Sequence, residues 1–73
     1  MLEKRSFSLS GHRTSVALEP EFWAALAENA KAGGASLSAL ITDIDSTRAE
    51  GQPLASALRV FALKAGRRAA TGG

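Results

Sequence analysis

The sequence predicts a mainly α-helical domain with a short β-ribbon at its N-terminal end, assembled as an intertwined homodimer. Three observations lead there. The chain has 73 residues and no cysteine, so its core is small and no disulfide can brace it. Its first segment alternates apolar and polar residues with period two, and the remainder carries three apolar stripes at helical spacing. Only one half of the alternating segment is a strong strand, and a lone strand must still pair its backbone N–H and C=O groups.

The alternating segment runs from Lys4 to Leu18. Phe7 and Leu9 mark its first half, and Thr14, Val16 and Leu18 its second. β-Branched Thr14 and Val16 favour extended backbone, so Arg13 to Leu18 reads as the surer strand and Lys4–Ser10 as the weaker one. Gly11-His12 lies between the halves, where a hairpin turn would fall, and His12 reads as the end of that turn. The pair lacks the strongest two-residue turn chemistry.

A first helix follows. Pro20 suits the first turn, where its missing N–H is no loss, and Glu19 and Glu21 suit the positive end of the helix dipole. Phe22, Leu26 and Ala30 recur at i, i+4 and i+8, with Trp23 and Ala27 beside them. Both Phe22 and Trp23 are assigned to the core. Gly33-Gly34 ends the helix.

Ser36 is a good N-cap for a second helix, whose stripe is Leu37, Leu40, Ile41 and Ile44. It fades between Asp45 and Glu50. Pro53 takes the first position of a third helix with Leu54, Leu58, Phe61 and Ala65 as its stripe. Val60 and Leu63 widen that stripe, so this helix should pack on more than one neighbour. Residues 1–65 form one domain, and residues 66–73 are expected to be a disordered basic tail.

The formal net charge is only +2, but its distribution is uneven. Lys4, Arg5 and Arg13 stand against Glu3 at the start. The middle holds Glu19, Glu21, Glu28, Asp43, Asp45 and Glu50 against Lys31 and Arg48. From residue 59 onward Arg59, Lys64, Arg67 and Arg68 are unopposed. Basic ends around an acidic middle fit ends that meet a polyanion, and fit equally a solubilising surface with a basic tail.

Enzymatic chemistry finds no support. There is no Gly-rich phosphate loop, no nucleophile with a base at reach, and one histidine only. Asp43 and Asp45 are two apart and do not share a helical face. No metal or cofactor is therefore expected, and the chain reads as a non-enzyme. No apolar run is long enough to cross a bilayer, and no apolar signal core follows the N-terminus, so a soluble cytoplasmic protein is expected.

If Val16 and Leu18 face a core, their strand needs a partner, and a second copy of it is the economical one. Two copies about a two-fold axis pair antiparallel, with the helices of both packed beneath in one shared core. At this point a resemblance becomes visible. The order strand, acidic-proline turn, helix, glycine stop and serine-capped helix resembles the ribbon-helix-helix family, which includes the Arc and methionine repressors. It is carried by Arg13-Thr14-Ser15-Val16-Ala17-Leu18-Glu19-Pro20-Glu21-Phe22-Trp23 and by Gly33-Gly34-Ala35-Ser36-Leu37-Ser38-Ala39-Leu40-Ile41. More narrowly, Lys4-Arg5-Ser6, Gly11-His12-Arg13-Thr14-Ser15, Phe22-Trp23 and Ser36-Leu37-Ser38-Ala39-Leu40 are similar to short bacterial ribbon-helix-helix proteins. A later helix like Leu54–Lys64 recurs in that group.

The resemblance implies a homodimeric DNA-binding regulator, such as a repressor, whose ribbon enters the major groove with Arg13, Ser15 and Ala17 facing the bases. Arginine pairs bidentately with guanine, serine donates or accepts, and alanine meets a thymine methyl. Ser15 and Ala17 are shorter than the side chains many members carry there, so readout would rest mainly on Arg13 or on DNA shape. Lys4 and Arg5, and the start of the second helix at Ser36, Leu37 and Ser38, would hold phosphates. The second reading is a protein-interaction module, for instance an antitoxin-like dimer that grips a protein partner through its C-terminal helix.

Overall fold

The computed structural model describes residues 1–71, with side chains described through residue 66. Two strands open the chain. β1 (Glu3–Leu9) and β2 (His12–Leu18) pair antiparallel, with Leu9 opposite His12 at the turn and Glu3 opposite Leu18 at the far end. Ser10 and Gly11 form the turn, with φ of 52° and 80°. Positive φ at both central residues is the I′ pattern, whose twist matches that of the flanking strands. Glycine accepts it freely, whereas Ser10 does so against its side chain. The turn thus lies one residue earlier than Gly11-His12, and His12 is the first residue of β2.

The weaker alternating segment is therefore a full strand. β2 pairs along one edge with β1 of the same chain, a partner that the sequence had ranked behind a second copy. The reason lies at the far end of β1. There the helix-facing positions are Glu3 and Arg5, whose charge breaks the apolar alternation that marks a half-buried strand. Arg5 Nε donates to Glu3 Oε2 at 2.6 Å, and the guanidinium sits 5.0 Å from the centroid of the Trp23 ring. Trp23 Nε1–H in turn donates to the Glu3 carbonyl at 2.7 Å. An arginine lying on an aromatic face covers apolar surface while keeping its charge near water.

Three helices follow. α1 (Pro20–Ala32) begins at Pro20 as the spacing predicts, with the Glu19 carbonyl accepting from Phe22 N–H at 2.9 Å. It ends where Gly34 turns to φ 73° and Ala35 N–H returns to the Ala30 carbonyl at 2.9 Å. Its buried face is Trp23, Leu26 and Ala30, with Phe22 half-buried and Ala27 exposed. The face is centred on Trp23 and not on Phe22.

α2 (Leu37–Thr47) carries the expected cap, since Ser36 Oγ accepts from Ala39 N–H at 3.1 Å. Ile41 and Ile44 are buried, and Leu37 and Leu40 are half-buried. α3 (Leu54–Thr71) starts one residue after Pro53, whose carbonyl accepts from Ala57 N–H at 3.1 Å. The helix is assigned into the stretch expected as a tail. From residue 67 the side chains, and residues 72–73 altogether, lie outside the described residues.

Leu18, Trp23, Leu26, Ile41 and Leu58 are the largest fully buried side chains, so each element from β2 to α3 sends at least one into a common core. Leu9 and Phe7 bring in β1. Each such burial is worth about 1.5–3 kcal/mol relative to exposure. α3 touches α1, α2 and β2, as its wide stripe predicts. It does so through Ala57, Leu58 and Ala62, while Val60 and Leu63 remain 41% and 58% exposed. Those two residues were expected to pack. Alanines at the contact let α3 approach its neighbours closely and turn the bulkier pair outward.

Candidate nucleic-acid interface

The strand register sorts the ribbon into two faces, because residues directly opposite each other point the same way. Thr14, Val16 and Leu18 look toward the helices with Phe7, Arg5 and Glu3 across from them. Arg13, Ser15 and Ala17 lie on the other face, opposite Ser8, Ser6 and Lys4. Arg13 and Ser15 are exposed and Ala17 is half-buried. The three residues expected to face bases thus share one side of the ribbon, and Lys4 joins them.

Ser6 and Ser8 carry no motif in the sequence, yet they occupy the same face. The signal was present: Phe7 and Leu9 point inward, so alternation turns residues 4, 6 and 8 outward. Ser6 Oγ and Ser15 Oγ lie 3.0 Å apart across the strands. No acid stands on this face, and among the described residues neither Lys4 nor Arg13 is in an ion pair.

Arg5 is different. Expected beside Lys4 as a phosphate contact, it sits on the helix-facing side, bound to Glu3 and stacked on Trp23, whose ring centroid is 5.8 Å from that of Phe7. Arg59, which looked unopposed in the sequence, is likewise engaged. Its Nε and Nη2 each reach Glu19 Oε1 at 3.0 Å, and its guanidinium lies 5.9 Å from the Phe22 ring centroid. Two cations that the sequence leaves available are thus engaged inside the fold.

The start of α2 is a second element that favours anions. Ser36 Oγ takes the Ala39 N–H, which leaves the N–H groups of Leu37 and Ser38 without a partner among the described residues. No acid occupies the first turn. Such an end presents free donors under a positive helix dipole. α2 packs against β1, but no hydrogen bond or ion pair among the described residues joins its first turn to the outer face of the ribbon.

His12 is exposed at the turn end of β2. Asp43 is exposed too, and Asp45 is paired with Arg48 at 2.8 Å. No helix among the described residues is long and apolar enough to cross a membrane.

A ribbon, two helices and a serine-capped second helix define the class, and comparison with known families agrees. Residues 2–65 match the family model described as ribbon-helix-helix domain, and the chain belongs to that family. Proteins of this family generally bind DNA and form dimers, and their domains are typically non-enzymatic. No curated protein and no solved structure matches the chain.

Proposed function

We propose that this protein is a cytoplasmic, homodimeric DNA-binding regulator of transcription, acting as a repressor, that lays the outer face of its β-ribbon in the major groove. The observation that carries this reading is the composition of that face: two unpaired cations, three hydroxyls and no acid on a surface with no structural task of its own. B-DNA's major groove is wide enough for a two-stranded ribbon. Arg13 is the principal base contact, through guanine O6 and N7, with Ser15 and Ala17 beside it. Lys4 and the free N–H groups of Leu37 and Ser38, next to the Ser36 cap, hold phosphates. Arg5 contributes less, since its charge is already matched by Glu3.

Titration against a random duplex at two salt concentrations tests the reading. The logarithm of the binding constant should fall with the logarithm of salt by about 0.9 for each phosphate neutralised. Sedimentation should give twice the chain mass. Affinity that ignores salt, or a monomer at saturating DNA, defeats the proposal.

A second reading, a protein-interaction module, is favoured by one feature. An open cleft of about 290 Å³ lies between α2 and α3, lined by Ile44, Ala57, Val60 and Phe61 and rimmed by Arg48 and Lys64. Val60, in that lining, is 41% exposed. Size-exclusion chromatography discriminates: a clean dimer with no tendency to associate further speaks against a required protein partner there.

A further inference from the structure

The cleft between α2 and α3 shares no residue with the ribbon or with the first turn of α2, so it does not overlap the surface proposed for DNA. We propose that this cleft docks an acidic amphipathic helix of a partner protein. The apolar side chains of that helix lie on Ile44, Val60 and Phe61, and its carboxylates meet Lys64, Arg48 and Gln52. The inference rests on the interaction-module reading above and gives the partner a chemistry.

Hydrogen bonding at the rim is the first support. Arg48 is held in place, with Nε donating to Asp45 Oδ1 at 2.8 Å and Nη1 to the Gln52 carbonyl at 2.6 Å. Asp45 matches its charge, and Nη2 keeps its protons without a partner among the described residues. Gln52 Oε1 accepts from Ala49 N–H at 3.2 Å, so the carboxamide has its oxygen occupied and its NH2 to offer. Lys64 is exposed and in no ion pair among the described residues.

The carbonyls close by are already used. That of Asp43 takes the Ser46 and Thr47 hydroxyls, that of Ile44 takes Thr47 as well, and that of Gln52 takes Arg48. The rim thus offers mainly donors and one uncompensated positive charge, and no acid lines the cleft. An ionised carboxylate is acceptor-only and complements such a rim, whereas an ammonium or guanidinium group does not.

Shape decides what carries the carboxylate. The cleft measures about 290 Å³ and is open to solvent. Small-molecule sites enclose about 70–90% of their ligand's surface, while an open cleft covers one side of its occupant only. A helix belonging to a folded protein is supported from elsewhere and needs no enclosure. Along α3 the lining runs from Ala57 to Lys64, about 10.5 Å at roughly 1.5 Å per residue. A docked helix spaces its anchors from i to i+7 over the same length. Val60, inside that run, is the apolar surface left for them to cover.

The test uses the full chain and a phage-displayed library of alanine-based helical peptides randomised along one face. Selected peptides should carry apolar residues at i, i+3 or i+4, and i+7, with Asp or Glu beside them. They should shift the NMR amide signals of Ile44, Val60, Phe61 and Lys64. Lys64→Gln should weaken them by up to about fivefold, the range of an exposed ion pair. Lys4→Gln removes the same charge elsewhere and should leave them unaffected, and exchanging the peptides' acids for amides should abolish the dependence on Lys64. Val60→Asp puts a like charge on the apolar floor and should weaken them further. Val60 and Lys64 are exposed, and matching thermal melts will show the variants folded.

Peptides that occupy the cleft with no preference for acids, or that Lys64→Gln and Lys4→Gln weaken alike, would overturn the inference and leave the interaction module standing. Peptides that bind nowhere on α2 and α3 would remove both. A fall in sedimenting mass for Val60→Asp would mean that a second copy covers the cleft, and would overturn the inference as well.

Discussion

The Arg59 guanidinium sets two nitrogens on a single carboxylate oxygen of Glu19, with Nε and Nη2 each 3.0 Å from Oε1. Glu19 is the N-cap of α1, directly after β2, and Arg59 lies in α3. The pair ties the last helix to the joint between ribbon and helices. A backbone hydrogen bond at Glu19, and then the hydrogen bond from Arg59, hold the carboxyl below its ordinary value of 4.5. A carboxyl whose folded pKa is depressed stabilises the fold above its unfolded pKa, and the gain is lost as pH falls through the folded value. Wild type should therefore melt above Glu19→Gln at neutral pH, with the gap closing below about pH 4.5. Both partners are partly exposed, so salt should shrink the gap as well. A gap that survives undiminished to about pH 3 would assign the effect to something other than this carboxylate.

Ile41 and Val60 provide a paired test of the core. Ile41 is fully buried between α2 and its neighbours, so Ile41→Ala should cost about 2–5 kcal/mol in chemical denaturation. Val60 points outward, and Val60→Ala should stay within about 0.5 kcal/mol. Equal losses at the two sites would mean that Val60 is covered in solution, as the α2–α3 cleft would be by a bound partner.

Arg13 and Lys4 share a face, and the proposed reading gives them different tasks. Arg13→Ala should weaken binding to a preferred site by about 1–3 kcal/mol for each base it no longer reaches, and relax selectivity there. Lys4→Ala should weaken all duplexes alike and lower the salt slope by about one unit per phosphate left without its cation. Fluorescence anisotropy at several salt concentrations separates the two. Identical profiles would leave base reading without a residue that performs it.

Arg5→Ala should act first on stability. Removing a cation stacked on Trp23 costs about 0.5–1 kcal/mol at an exposed site. DNA affinity of the folded variant should change less than for Lys4→Ala. The opposite order would mean that Arg5 leaves Glu3 and Trp23 when DNA binds.

Much of this arrangement is legible in the residues themselves. Val16 and Leu18 set the phase of β2, and that phase alone turns Arg13, Ser15 and Ala17 outward. Pro20, Gly34 and Ser36 mark helix ends through chemistry that hardly depends on tertiary context. β1 is less legible because Arg5 takes a helix-facing position that an apolar residue would normally fill, and only the Trp23 ring makes this acceptable. Pairing partners are harder still. Period two says that a strand needs a neighbour, but whether β1 or another chain supplies it depends on the turn, and Ser10-Gly11 is a weak signal beside Asn-Gly or Asp-Gly. The outward turn of Val60 and Leu63 could not be read from α3 alone. Their stripe is as apolar as the one that packs, and the choice falls to the alanines that allow the closer approach.

The two-residue turn at Ser10-Gly11 also bears on the order of events as the protein forms. Strands joined so tightly meet by a local search, and isolated hairpins close in about 1–10 μs. Contacts near in sequence are the ones that hasten folding. The hairpin can thus assemble in a unimolecular step.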